Sequence, residues 1–143
     1  MKDVLEQYLL RLLSSGYYTR KQLLDKLIRK GAEKVEAEEI LQEYSTYGYV
    51  DDLIYAKLYI DSHEQWGILR LRSELRARGV SDMVIDEALE EVEPDEIFRA
   101  EQLARSWLDS DISEEKILSR LARRGFTFRI CREALNRACE ESL

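Results

Sequence analysis

One pattern is written three times along this chain at nearly constant spacing. Leu23, Leu27, Gly31 and Leu41 recur as Leu71, Leu75, Gly79 and Leu89, and again as Ile117, Leu121, Gly125 and Leu135. The glycines stand 48 and then 46 residues apart. A period in this range marks a helical repeat array, in which each unit buries its apolar face against its neighbours. Such arrays offer an extended surface to another macromolecule more readily than they build a catalytic pocket.

The local signals agree with an all-α chain. A single proline and six glycines leave little room for long loops, and 45% hydrophobic residues supply enough apolar material for packed helices. Apolar residues at 5, 8, 9, 12 and 13 give a first helix near 3–15, ended by Ser14-Ser15-Gly16. Thr19 and Gln22 form a capping box ahead of Leu23, Leu24 and Leu27, and Gly31 stops that second helix at the position that favours a left-handed residue. Val35 to Tyr44 make a third helix, closed before Gly48. The cycle then repeats. Asp51-Asp52 opens a helix, another runs from about Gly67 to Arg78, and Ser81 or Asp82 caps the next. Pro94 breaks the chain, Asp95 opens the third cycle, Ser113 caps the helix that ends at Gly125, and Thr127 caps the last. The expected organisation is three tandem three-helix repeats, at 1–48, 49–93 and 94–143. Each is too small to bury a comfortable core alone, so neighbours should stack.

The net charge of −7 hides a strong partition. Residues 116–132 hold Lys116, Arg120, Arg123, Arg124, Arg129 and Arg132 with no acid, whereas residues 82–96 are rich in Asp and Glu with no base. At ~100° per residue, Leu23, Leu24 and Leu27 point inward, and Lys26 and Arg29 fall on the outward half of their helix. The equivalent helices present Arg70 and Arg76, interrupted by Glu74, and then Lys116, Arg120 and Arg123. Lys30, Arg78 and Arg124 each stand beside a terminal glycine. A cation at a helix C-terminus gains ~0.3–1 kcal/mol from the dipole. That accounts for this last trio but not for the cations further along the exposed side. The ten basic residues are therefore the candidate binding surface, suited to phosphate backbone or an acidic protein surface.

At this point the residues resemble the RecX family, the regulators of the RecA recombinase. Gly48-Tyr49-Val50-Asp51-Asp52-Leu53-Ile54-Tyr55-Ala56 is similar to the family's G-x-I-D-D-x-x-F/Y-A signature. The stretch from Gly67 through Glu74-Leu75 to Arg78-Gly79-Val80 resembles G-x-x-x-I-x-x-E-L-x-x-K/R-G-I, and Leu121-Ala122-Arg123-Arg124-Gly125-Phe126 resembles L-x-R-R-G-F. The likeness runs from about residue 17 to 137. It implies a curved, elongated, right-handed stack of repeats that binds in the groove of the RecA filament on single-stranded DNA. It also implies inhibition of RecA ATP hydrolysis and strand exchange, with no catalytic residue to carry over. The family's members are often basic overall, and this chain is not. A monomer with at most weak direct DNA contact is expected.

Other chemistry finds little support. His63, the only histidine, has no cysteine or second histidine near it in sequence, so no zinc site is expected, and the motifs of nucleotide binding and metalloproteases are absent. Asp51-Asp52 reads as helix capping rather than a catalytic pair, since adjacent residues diverge by ~100° on a helix. Cys131 and Cys139 lie ~12 Å apart along one helix, too far for a disulfide. Tyr44, Tyr47, Tyr49, Tyr55 and Tyr59 form the densest aromatic cluster and are expected to pack between repeats. No catalytic residue, cofactor or metal is expected, and a soluble cytoplasmic protein without membrane spans is. The rival to a filament modulator is a direct DNA-binding module of helix-turn-helix type, outlined by Ser81–Leu89 after Gly79 and Thr127–Leu135 after Gly125.

Overall fold

A computed structural model describes residues 1–141. Among the described residues it is all-α, with nine helices: α1 Lys2–Ser15, α2 Arg20–Arg29, α3 Lys34–Thr46, α4 Asp52–Ser62, α5 Ile68–Ala77, α6 Asp82–Val92, α7 Glu96–Asp109, α8 Glu114–Arg123 and α9 Phe128–Glu141.

Local chemistry sets the helix ends. The Thr19 hydroxyl accepts from the Gln22 amide, and the Gln22 side chain accepts from the Thr19 amide, so the capping box is complete. Asp51 accepts from the Leu53 amide at 2.9 Å and the Ile54 amide at 3.3 Å, Asp95 from the Phe98 amide, and Ser113 from the Lys116 amide. Of the two candidates at the start of α6, Ser81 supplies the cap, through the Val84 amide.

The three periodic glycines close α2, α5 and α8 in the same way. Gly31, Gly79 and Gly125 have φ of 117°, 92° and 94°, where a side chain would be strained. In each case the next residue's amide reaches back to a leucine carbonyl: Ala32 to Leu27, Val80 to Leu75, and Phe126 to Leu121. These are Schellman closures, and the residue after each glycine is buried, which adds the hydrophobic contact typical of the motif.

The chain divides into two compact units. The first comprises Met1–Leu58 and Leu75–Ala88, the second Tyr59–Glu74 and the described residues from Leu89 onward. Residues 49–93, which the periodicity sets apart as a repeat, are thus shared between the units. The first unit's core gathers Leu5 and Leu9 of α1, Leu23 and Leu27 of α2, and Ala37, Ile40, Leu41 and Tyr44 of α3. The second gathers Ala100 and Ala104 of α7, Ile117 and Leu121 of α8, and Ile130, Ala134, Leu135 and Ala138 of α9, with Phe126 from the closing turn. Each fully buried leucine or isoleucine contributes about 1.5–3 kcal/mol relative to exposure.

Within each unit the N-terminus of one middle helix meets the closing turn of another. In the first, the Thr19 hydroxyl, besides capping α2, donates to the Arg78 carbonyl at 2.6 Å. The Arg20 amide donates to Asp52 at 2.9 Å. In the second, the Gly67 amide donates to the Arg124 carbonyl at 2.8 Å and the Leu69 amide to the Gly125 carbonyl at 3.1 Å. The Ile68 amide is taken by Glu96 at 2.9 Å. In the second unit, unpaired amides at a helix start are thereby matched to carbonyls at a helix end, whereas in the first the carbonyl takes a hydroxyl and the amide a carboxylate.

Candidate functional site

The ten cations do not share one environment. On α2, Lys26 is half-buried with its ammonium 5.3 Å from the centre of the Tyr18 ring, and Lys30 stands 5.1 Å from the Tyr8 ring. Arg29 is exposed. On α5, Arg70 lies over Trp66 at 4.2 Å and faces Glu74 at 4.0 Å, while Arg76 is ion-paired to Asp82. The half-buried Arg78 gives its carbonyl to Thr19.

The cations of α8 are arranged differently. Arg120, Arg123 and Arg124 surround Trp107 and line with it a recess of ≈ 320 Å³. The Arg120 and Arg124 guanidinium carbons lie 5.4 and 5.5 Å from the Trp107 ring centre, within cation–π range. Arg123 donates to the Ser119 hydroxyl, and Arg124 to the Gln65 side-chain oxygen at 2.7 Å. Among the described residues none of these three guanidinium groups is paired with a carboxylate. Lys116 stands exposed in the first turn of the same helix. Helical periodicity explains why Arg120, Arg123 and Arg124 share a side. It carries no sign of Trp107 or Gln65, which come from α7 and the α4–α5 link.

A second aromatic group lies at the α4–α5 link. The rings of Tyr59 and His63 stack at 4.0 Å, His63 and Trp66 at 4.3 Å, and Arg70 closes the pile. His63 Nδ1 is 2.8 Å from the Tyr59 carbonyl oxygen. The histidine is therefore held as a packing ring at a helix end. Among the described residues no group of three or more His, Cys, Asp or Glu side chains could hold a metal ion.

The cysteines offer no ready nucleophile. Burial pushes the Cys131 thiol pKa up. The Cys139 thiol donates to Glu114 at 3.1 Å, and that hydrogen bond raises its pKa in turn. A cleft of ≈ 470 Å³ beside α7 is lined by Glu64, Gln65, Phe98, Arg99 and Gln102 among others, and its arginine is occupied with the carbonyls of Ile60 and His63. No described helix is long and apolar enough to cross a membrane.

The tyrosines depart in part from the packing expected of them. Tyr44 and Tyr59 are buried and Tyr55 half-buried, but Tyr47 and Tyr49 are exposed. Both follow the last buried turn of α3, where the chain leaves the core, and their rings lie 6.3 and 6.2 Å from that of Tyr44.

Known proteins place this architecture. Residues 51–89 match the family model for the second three-helix domain of RecX. The chain is 32% identical over 139 residues to a Regulatory protein RecX of Halorhodospira halophila, covering 92% of this chain and 86% of that one. It is 34% identical over 140 residues to the protein of the same name from Thermobifida fusca, covering 88% and 76%. The crystal structure of RecX from Lactobacillus salivarius superposes with a TM-score of 0.78 over 96% of both chains; at 22% identity that likeness speaks for the fold alone. Identity of about a third across most of both chains, on the same helical architecture, settles the matter: this chain belongs to the RecX family of non-enzymatic regulatory proteins.

Proposed function

We propose that this chain restrains the RecA recombinase by binding in the groove of the RecA filament on single-stranded DNA, lowering ATP hydrolysis and strand exchange. The observation that carries this reading is the set of Arg120, Arg123 and Arg124 around Trp107, free of carboxylate partners among the described residues. Guanidinium groups fit phosphate and carboxylate oxygens in a bidentate manner, and an indole beneath them limits the side-chain freedom lost on binding. Lys116 extends this surface. Arg29, Lys26 and Lys30 form a smaller one in the first unit, while Arg70 and Arg76 contribute less because each already faces an acid. Arg78 contributes as a support for α2 as well as by charge.

No catalysis is required of such a protein. It changes the filament only to the extent that it binds one state better than another, for example a state in which hydrolysis or subunit addition is blocked. The chain acts in the cytoplasm as a monomer, and its three repeats at 1–48, 49–93 and 94–143 spread the contact. The rival reading, direct binding to bare DNA, draws on Arg129 and Arg132, both exposed on α9. Against it, α6 exposes Asp82, Asp86 and Glu87, which phosphates repel.

The test is RecA ATP hydrolysis on single-stranded DNA, titrated with wild-type protein and with R120E/R123E. The wild type is expected to inhibit, and the double reversal to need at least about tenfold more protein, a difference of ~1.4 kcal/mol. Equal inhibition by both removes the arginine surface from the mechanism. Loss of RecA activity that tracks binding to bare DNA favours the rival.

A further inference from the structure

Two exposed tyrosines, Tyr17 and Tyr49, border a groove in the first unit. The link between α1 and α2 supplies Gly16 and Tyr17, the link between α3 and α4 supplies Gly48, Tyr49 and Asp51, and α4 adds Ile54. The groove measures ≈ 230 Å³, room for one long side chain rather than a folded element. Tyr17 is 72% exposed, Tyr49 63% and Ile54 44%. Large apolar rings left this open at one place are characteristic of protein interfaces, where tyrosine supplies rigid contact area at low entropic cost.

Charge selects the occupant. Among the described residues Asp51 is the one charged residue lining the groove and no base lines it, although Lys26 stands on the ring of Tyr18, which also lines the groove. Behind it, the buried Tyr44, whose ring centre lies 6.2 Å from that of Tyr49, has its phenol pKa raised first by burial and then by Glu6 and Glu43. This part of the chain already seats its own cations on tyrosine faces, Lys26 on Tyr18 and Lys30 on Tyr8. The Tyr17 and Tyr49 rings have no such cation among the described residues. The geometry points to a docking groove for an arginine or lysine side chain on an extended segment of a partner protein, stacked between Tyr17 and Tyr49 with its charge toward Asp51. Nucleic acid, the other polymer that stacks on tyrosine, would bring phosphates toward these carboxylates. This inference stands apart from RecA being the partner.

Gly16 makes the idea testable without disturbing the fold. Its φ of 171° is extended backbone open to any residue, and a Cβ added there meets nothing within 4 Å. The probe is the peptide acetyl-Gly-Arg-Leu-Arg-Gly-amide, with its Glu-for-Arg counterpart and an oligothymidylate as controls, followed in every variant by the NMR shifts of the Gly48 and Ile54 amides and, where they are present, of the Tyr17 and Tyr49 rings. Saturable shifts are expected with the arginine peptide alone. G16K should weaken its binding at least fivefold, G16E should leave it equal or tighter, and Y17A/Y49A should abolish it while melting at the wild-type temperature. Rings unmoved by the arginine peptide, larger shifts with the acidic peptide or the oligonucleotide, or the reverse order of G16K and G16E would overturn the proposal.

Discussion

At the scale of single residues, two glycines in similar link positions have opposite meanings. Gly67 has an ordinary φ, and nothing in the flanking sequence demands glycine. A Cβ there would nonetheless press on the Gly125 carbonyl group, 2.6 Å from its carbon, and lie 2.7 Å from Phe126 Cδ1. Backbone cannot swing aside, so G67A is expected to cost about 1–3 kcal/mol, the range for overpacking. G16A should be neutral or stabilising by about 0.4–1 kcal/mol, through the unfolded chain. Urea denaturation of the pair checks both, and equal midpoints would mean that the close approach at Gly67 carries no energy. Asp52 offers a second contrast at this scale. Burial raises its pKa above 3.8, against the opposing hydrogen bond from the Arg20 amide. Its folded-state pKa exceeds the unfolded one, so ionisation costs stability as pH rises through the raised value, and the cost disappears below the ordinary value. D52N keeps the oxygen that accepts from Arg20. It should therefore raise the melting temperature at neutral pH, with the gain fading near about pH 4. A gain independent of pH would assign the effect to something other than this charge.

Helix ends were the most legible part of the sequence, because capping chemistry acts over three or four residues. Thr19 with Gln22, Asp95, Ser113 and the three periodic glycines all stand where their patterns put them. Second roles of the same residues were not legible. The Thr19 hydroxyl that caps α2 also donates to a carbonyl 59 residues away, and nothing near Thr19 announces it. The candidate surface was legible by halves for the same reason. Periodicity aligns Arg120, Arg123 and Arg124 on α8, but Trp107 joins them from α7 and Gln65 from the α4–α5 link. The tyrosines show the converse failure. Aromatic density suggested packing, yet Tyr47 and Tyr49 follow the last buried turn of α3 and remain outside. The double duty of Thr19 is measurable by comparison with Ser113, which caps α8 from an exposed position. Loss of either cap costs about 0.5–2 kcal/mol. T19A additionally removes the hydrogen bond to the Arg78 carbonyl and should lose about 0.5–1.5 kcal/mol more than S113A. Equal losses would confine Thr19 to the local cap.

Over the whole molecule, the net charge of −7 is largely screened beyond the Debye length, ~10 Å at 0.1 M salt, so the charge close to the contact, not the total, decides whether nucleic acid is held. Only contacts closer than that let the α8 arginines act against the total. The consequence is a particular salt dependence. If Arg120, Arg123 and Arg124 each neutralise one phosphate of the single strand, the logarithm of filament affinity should fall against the logarithm of salt with a slope of about −2. From 50 to 200 mM salt that amounts to a loss of roughly twentyfold. R120Q/R123Q should flatten the slope to about −0.7. A groove that holds a partner's cation on tyrosines contributes little to this slope, since no condensed counterions are released from a protein side chain, whereas its ion pairing with Asp51 is only weakly screened at short range. Filament binding measured across this salt range therefore reports on the α8 surface. A slope near −2 that flattens in R120Q/R123Q assigns the phosphate contact to α8. A slope near zero in the wild type would mean that the arginines meet protein carboxylates instead, and that recognition does not involve the DNA strand.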